Sequence, residues 1–260
     1  MSEEPLILEE LGPIARLTMN RPSAMNALNL EMLDRFSAHL AQLANNVECR
    51  VLILTGNGPA FCAGADLKQA LNANRVPGVA DFLELAHGVI KQLNAFPKPV
   101  IAALNGLTMA GGLELAMCAD IIVAADTAMI GDGHANFGVF PGGGGAAVLP
   151  GLLPLNTALY LLFTGKTLPA AELKALGLIS EVHPTGELTL ATMALAERIA
   201  AMSPLVLRRM KEVARASSDK TRCDALLHEQ VHLRAHQTSL DMAEGLAAFA
   251  EKRRPNFVGR

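Results

Sequence analysis

Residues Pro99 to Asp126 read PVIAALNGLTMAGGLELAMCADIIVAAD, and the fold is decided there. The stretch opens as an apolar, β-branched run and stops at Asn105-Gly106, the pattern of a buried strand (Val100 to Ala103) closed by a turn. Gly111-Gly112 then opens a short apolar helix whose one acid is Glu114. Glycines at a helix start leave backbone N–H groups with no side chain in the way. Those unpaired donors and the positive end of the helix dipole favour a negative oxygen. Glu114, three residues further in, sits roughly one turn away on the same side. The reading is an oxyanion pocket with an acid or base beside it. The plainer alternative is a tight turn followed by a solvated acid. Glu114 lies between Leu113 and Leu115 with no other charge before Asp120, which weighs against a solvated face.

A second segment points the same way. Val51 to Lys68 reads VLILTGNGPAFCAGADLK: a strand (Val51 to Leu54), a glycine-rich turn, then FCAGAD. Ala63, Gly64 and Ala65 carry only small side chains, so a ligand can approach their backbone closely. Two loops after two strands, each offering a bare N–H, make a two-donor hole of the kind that holds a thioester enolate.

With these segments in place the chain resembles the crotonase (enoyl-CoA hydratase/isomerase) superfamily. The matching pieces are MNRPSAMNAL (Met19 to Leu28), VLILTGNGPAFCAGADLK, PVIAALNG with AGGLELAMCADIIVAAD, FGVFPGGGG (Phe137 to Gly145), FTGKTLPAAELKALGLISEV (Phe163 to Val182) and AFAEKRRPNF (Ala248 to Phe257). They stand in family order and spacing over nearly the whole chain. The ordered set is specific for the superfamily and much less so for the reaction.

Composition sets bounds of its own. The 260 residues, 51% apolar, suffice for a large single core with an appended segment. A net charge of −3, no basic block before the C-terminus and 4% aromatics give no surface for nucleic acid. Cys49, Cys62, Cys118 and Cys223 lack metal spacing, and they read as reduced, buried thiols of a cytoplasmic protein. Met1 to Glu4 is acidic and no long uncharged apolar run follows, so neither a leader nor a membrane partner is expected.

Strands alternate with helices, which places the chain in the α/β class. Strands are predicted at Ala15 to Met19, Val51 to Leu54, Val100 to Ala103, Ile121 to Ala124 and Met129 to Gly131. Helices are predicted at about Leu30 to Leu43, around Val79 to Asn94 and from Gly111. From about Ala191 the chain reads as wholly helical, with Ser203-Pro204 as a helix start and further helices at Arg222 to His236 and Ser239 to Lys252. Neither G-x-G-x-x-G nor G-x-x-x-x-G-K-[ST] occurs. The resemblance implies more: a crotonase-like spiral of ββα turns over residues 1–190 and a helical trimerisation segment over 191–260, assembled as a homotrimer or a dimer of trimers.

The resemblance also implies roles. An acyl-CoA thioester oxygen sits between the N–H groups of Ala65 and Gly111. Ala63, Gly64, Ala65, Asp66 and Leu67 line the adenine end of CoA, while Ala24 and Ala27 run beside its pantetheine and phosphates. Lys252, Arg253 and Arg254 reach the phosphates, or simply end a solvated helix. CoA enters as part of the substrate, with no separate cofactor and no metal. Hydratases of this family use two glutamates, and Glu114 matches the first. The second position, twenty residues on, is His134 in IGDGHANFG, with Gly138 and Pro141-Gly142 in register.

Histidine titrates near working pH and can take a proton from water or deliver one to Cα, with Asp132 to orient it or act itself. A Glu–His pair therefore suits hydration of a 2-enoyl-CoA. It also suits hydrolytic cleavage of a β-dicarbonyl compound or enoyl-CoA isomerisation, and loss of the second glutamate also fits an impaired CoA-ester-binding subunit. Gly142 to Gly145 reads as a turn into a helix. His228, His232 and His236 share a helical face, but no acid stands at ligand spacing and no second element joins them. His87 and His183 carry no motif. The acyl pocket is expected between Leu71 and Leu85 and around Val139 to Phe140.

Overall fold

In the computed structural model, which describes residues 4–71 and 80–260, one strand–strand–helix unit recurs and builds two sheets at once. The chain enters as a hairpin, β1 (Leu6–Leu11) antiparallel to β2 (Ile14–Met19), turned at Gly12 with φ +63°. Helix α1 (Leu30–Asn45) follows, its first turn capped by the Asn29 side chain accepting from the Met32 N–H. The unit then repeats. β3 (Val51–Gly56) and β4 (Ala60–Cys62) lead to α2 (Leu67–Leu71) and α3 (Phe82–Asn94). β5 (Val100–Leu104) and β6 (Leu107–Met109) lead to α4 (Gly111–Met117). β7 (Ile121–Ala125) and β8 (Met129–Gly131) lead through a 3-10 turn at His134–Phe137 to α5 (Leu149–Leu152) and α6 (Leu155–Thr164). After β9 (Thr167–Pro169), α7 (Ala170–Ala175) and β10 (Glu181–His183) come α8 (Leu188–Ala200), α9 (Pro204–Ala216), α10 (Arg222–His236) and α11 (Leu240–Glu251).

Both strands of the opening hairpin lie in a six-stranded sheet, β1-β2-β3-β5-β7-β10; in the pairs β3/β4, β5/β6 and β7/β8 the first strand joins that sheet and the second joins a four-stranded sheet, β4-β6-β8-β9. Within each sheet the repeated strands run parallel, β3 to β5 to β7 and β4 to β6 to β8. This is the spiral of ββα turns implied by the resemblance. β3, β5 and β7 read as unbroken apolar runs because elements cover the sheet on both faces. Phe36, Leu40 and Leu43 of α1 belong to the buried core, and α8 packs on β2, β3, β5, β7 and β10.

Sequence periodicity misses β1, β4, β6, β9 and β10, four of which are only three residues long. The helix predicted around Val79 starts at Phe82, where Asp81 and Glu84 form a capping box; Val79 itself lies outside the described residues. The C-terminal segment turns helical at Leu188, a little before the expected Ala191, and its last helix ends at Glu251, within a residue of the expected Lys252. That helix is terminated at Lys252, which adopts φ +56°, and residues 252–260 form a non-helical tail that buried Asp241 ties down by accepting the N–H groups of Val258 (2.8 Å) and Gly259 (3.0 Å). Cys49, Cys62 and Cys118 are free and buried, and burial pushes the Cys62 and Cys118 thiols up to about 12. Cys223 is free but exposed, correcting the reading of four buried thiols, since it sits in the first turn of a helix that buries none of its residues. Among the described residues no single helix is long and apolar enough to cross a membrane.

Candidate active site

Two backbone turns meet because of a glycine. A Cβ on Gly112 would stand 2.1 Å from the carbonyl oxygen of Cys62, so only glycine lets the start of α4 abut the end of β4. Gly111 is thereby drawn against the 63–65 turn: its Cβ position lies 3.6 Å from the Gly64 Cα and 3.8 Å from the Ala65 nitrogen. Ala110, which precedes the helix, adopts φ +49° and ψ −118°, a conformation alien to a residue with a side chain. Such strain costs of order 1–3 kcal/mol and persists where surrounding structure enforces it.

The hydrogen bonds of these turns run from Leu28 N to Gly64 O (2.8 Å), Asp66 N to Leu28 O (2.8 Å) and Ala110 N to Gly131 O (3.2 Å). The N–H groups of Ala65 and Gly111 donate to no described residue.

The remaining residues assigned to CoA gather at the same turn. Ala27 donates to the Ala24 carbonyl (3.0 Å) and Ala63 to that of Met25 (3.0 Å), while Leu67 begins α2. Fully buried Asn26 fastens this segment, accepting from the Arg21 N–H and donating to the carbonyls of Asn57 and Ala60. The Asp66 carboxylate is held by Arg21 at 3.0 Å. Arg253 does not stand free for phosphate: it pairs with Glu251 and, through both terminal nitrogens, with Glu244.

A second cluster forms around a run of glycines. Glu114, 6% exposed, accepts through Oε1 from the N–H groups of Gly143 (2.7 Å) and Gly145 (3.0 Å). A Cβ on Gly143 would lie 2.8 Å from Glu114 Oε2, and one on Gly145 would lie 2.7 Å from Asp132 Oδ2. The loop thus threads between Glu114 and Asp132 at a distance only glycine permits. Asp132 is fully buried, with both carboxylate oxygens 2.9 Å from His134 Nδ1, and Oδ1 also accepts the His134 N–H at 3.1 Å.

Burial pulls the imidazole pKa of His134 down. The hydrogen bond to Asp132, its charge and that of Glu114 outweigh this and leave it raised above the ordinary value. The structure therefore brings Glu114, Asp132 and His134 together, and brings Gly111 to Ala65.

Sequence reasoning missed the loop's role. Gly143 and Gly145 are donors to Glu114, and His87 on α3 donates from Nε2 to the Gly142 carbonyl at 2.7 Å. The available signal was the glycine run itself, since repeated absence of Cβ marks a place where something approaches the backbone. His183 pairs with Glu181 and takes no part. Of the residues expected to wall the acyl pocket, 72–79 lie outside the described residues, and Val139 and Phe140 are 39% and 82% exposed.

Comparison with known proteins agrees with this architecture. Residues 9–260 match the family described as enoyl-CoA hydratase/isomerase. The human enoyl-CoA hydratase domain-containing protein 2, mitochondrial, is 36% identical over 252 residues, covering 95% of this chain and 86% of the relative. The crystal structure of an enoyl-CoA hydratase from Mycobacterium tuberculosis H37Rv superposes with a TM-score of 0.90 at 36% identity, over 99% of this chain and 100% of that one. A Bacillus anthracis enoyl-CoA hydratase gives a TM-score of 0.91 at 31% identity, over 98% and 100%. The chain belongs to the enoyl-CoA hydratase/isomerase family.

Proposed function

We propose that this protein adds water to a 2-enoyl-CoA thioester, with Glu114 and His134 as its acid–base pair. The observation that carries the reading is that one glycine loop contacts both Glu114 and the Asp132 that grips His134. The thioester oxygen is received by the N–H groups of Ala65 and Gly111, and removing one such donor typically costs about 3–4 kcal/mol of transition-state stabilisation. Glu114 takes a proton from water as its oxygen adds to the β-carbon, and charge moves onto the thioester oxygen as an enolate. His134, carried as imidazolium beside Asp132, gives a proton to the α-carbon; Glu114 then releases the proton it took to solvent and His134 regains one, so both groups return to their starting states. Coenzyme A binds as part of the substrate along Ala24, Ala27 and residues 63–67. A homotrimer or dimer of trimers in the cytoplasm completes the reading.

A second reading rests on the Asp132–His134 contact. A carboxylate on Nδ1 fixes the tautomer and leaves Nε2 to accept a proton, as in hydrolytic triads. That arrangement suits attack of water on a ketone and cleavage of a β-dicarbonyl compound. Isomerisation needs only one base, and a CoA-ester-binding subunit needs none.

Purified protein assayed with crotonyl-CoA and longer enoyl-CoAs, following loss of the conjugated thioester absorbance, separates these. Rapid loss that collapses in His134→Ala supports hydration. Tight acetoacetyl-CoA binding with no loss of absorbance overturns it and turns attention to β-dicarbonyl substrates.

A further inference from the structure

The C-terminal helices carry a cluster that the proposed chemistry does not use. On α10 the residues His228-Glu229-Gln230-Val231-His232 have the H-E-x-x-H spacing, which sets two imidazoles on one helical face for a single ion. The two Nε2 atoms face each other at 3.2 Å, with ring centroids 4.7 Å apart and planes at 87°. The third group is not His236, whose Nδ1 lies 3.2 Å from the Ser239 hydroxyl. It is Glu212, from α9, whose Oε1 stands 3.8 Å from His232 Nε2, and the ligand atoms of all three residues lie within 4.8 Å of one another. The sequence showed neither an acid at ligand spacing nor a second element, because the 15 residues between Glu212 and His228 hide a helical turn-back.

We propose that Glu212, His228 and His232 bind one divalent transition-metal ion of the zinc class and so link α9 to α10. Two ligands each about 2.1 Å from a tetrahedral zinc stand roughly 3.4 Å apart, so the two imidazole nitrogens already have ligand spacing. Glu212 needs to close by a few tenths of an ångström on His232, from 3.8 Å, and by more on His228, with all three ligand atoms already within 4.8 Å of one another. Among the described residues His228 makes no other polar contact: its Nδ1 is buried without a partner there, a rare state for a buried nitrogen, and Nε2 is directed into the cluster. The Glu212 side chain is 59% exposed, which gives the ion an entry path from solvent. Three protein ligands leave a fourth position for water.

The test uses the full chain carrying Cys223→Ser, because the exposed Cys223 thiol on the same helix is a competing zinc ligand. After chelator treatment it is titrated with Zn2+ by calorimetry and with Co2+ by visible absorption. The expected result is one ion per chain, a Tm that rises with Zn2+, and affinity lowered at least tenfold in His228→Gln, His232→Gln and Glu212→Gln. Zinc binding that is absent, or unchanged in both histidine variants, overturns the site. If those variants fail to fold, 15N spectra of the histidines in the Cys223→Ser chain decide. Zinc-dependent shifts at Nε2 of His228 and His232 support the site, and shifts confined to other histidines overturn it.

Discussion

In the proposed hydration, Glu114 and His134 divide the proton work by their surroundings. Glu114 spends Oε1 on two loop N–H groups, and in the proposed mechanism Oε2 meets the water, so replacing the carboxylate with an amide keeps the shape and removes the proposed base. Glu114→Gln is expected to lower crotonyl-CoA hydration by at least about 100-fold while leaving acetoacetyl-CoA affinity near wild type. Steady-state rates and calorimetry together check this, and surviving activity would place the base elsewhere. His134 has the opposite assignment, and its pH dependence has a definite sign. Its pKa is raised above the ordinary value, so the imidazolium persists to higher pH. An acid is active when protonated; kcat/KM should therefore fall as pH rises through that raised pKa. Asp132→Asn removes a hydrogen bond and a charge that favour imidazolium, which moves this falling limb to lower pH. A limb that instead rises with pH through the same region marks His134 as a base and favours the hydrolytic reading.

At the scale of elements, the site depends on how closely helices and loops approach. Gly112→Ala puts a methyl against the Cys62 carbonyl and forces α4 away from β4. Overpacking of this kind costs about 1–3 kcal/mol, and here it also separates the Ala65 and Gly111 N–H groups. Urea unfolding should show the loss, and activity should fall further than stability does; a variant with wild-type kinetics refutes the coupling. Gly143→Ala acts on the other cluster, where its methyl meets the Glu114 carboxylate. These approaches explain what could be read from sequence. β3, β5 and β7 announced themselves because burial on both faces makes them uniformly apolar. The four-stranded sheet did not, because a three-residue strand such as β4 or β6 has no period to detect. His134 was found by register with a known motif, and Glu114 by its apolar neighbours. The loop donors at Gly143 and Gly145 were not, since a glycine run looks the same whether it turns the chain or holds a carboxylate. The Glu212 contact joins two helices and has no local signature at all.

For the whole molecule, the decisive fact is a helix that lies against α9 yet buries none of its residues. α10 is 15 residues long and buries none of them, and Leu226, Leu227, Val231 and Leu233 are each more than half exposed. Phe249 on α11 is 86% exposed. An isolated helix of this length is marginal in water, and its stability in proteins comes chiefly from packing an apolar face. Apolar side chains concentrated on neighbouring helices mark a surface meant to be covered. Within the assembly proposed above, other copies of the chain are what cover it. Light scattering of the eluted protein is expected to give three or six times the 27.4 kDa of one chain. Charges placed on that surface, as in Leu227→Glu with Phe249→Glu, should then lower the mass and the Tm together, because the helices lose their cover. A wild-type protein that elutes as a monomer at micromolar concentration, with α10 protected from hydrogen exchange, contradicts the assembly. In that case the link between α9 and α10 through Glu212, His228 and His232 is left as the means of holding the helix in place.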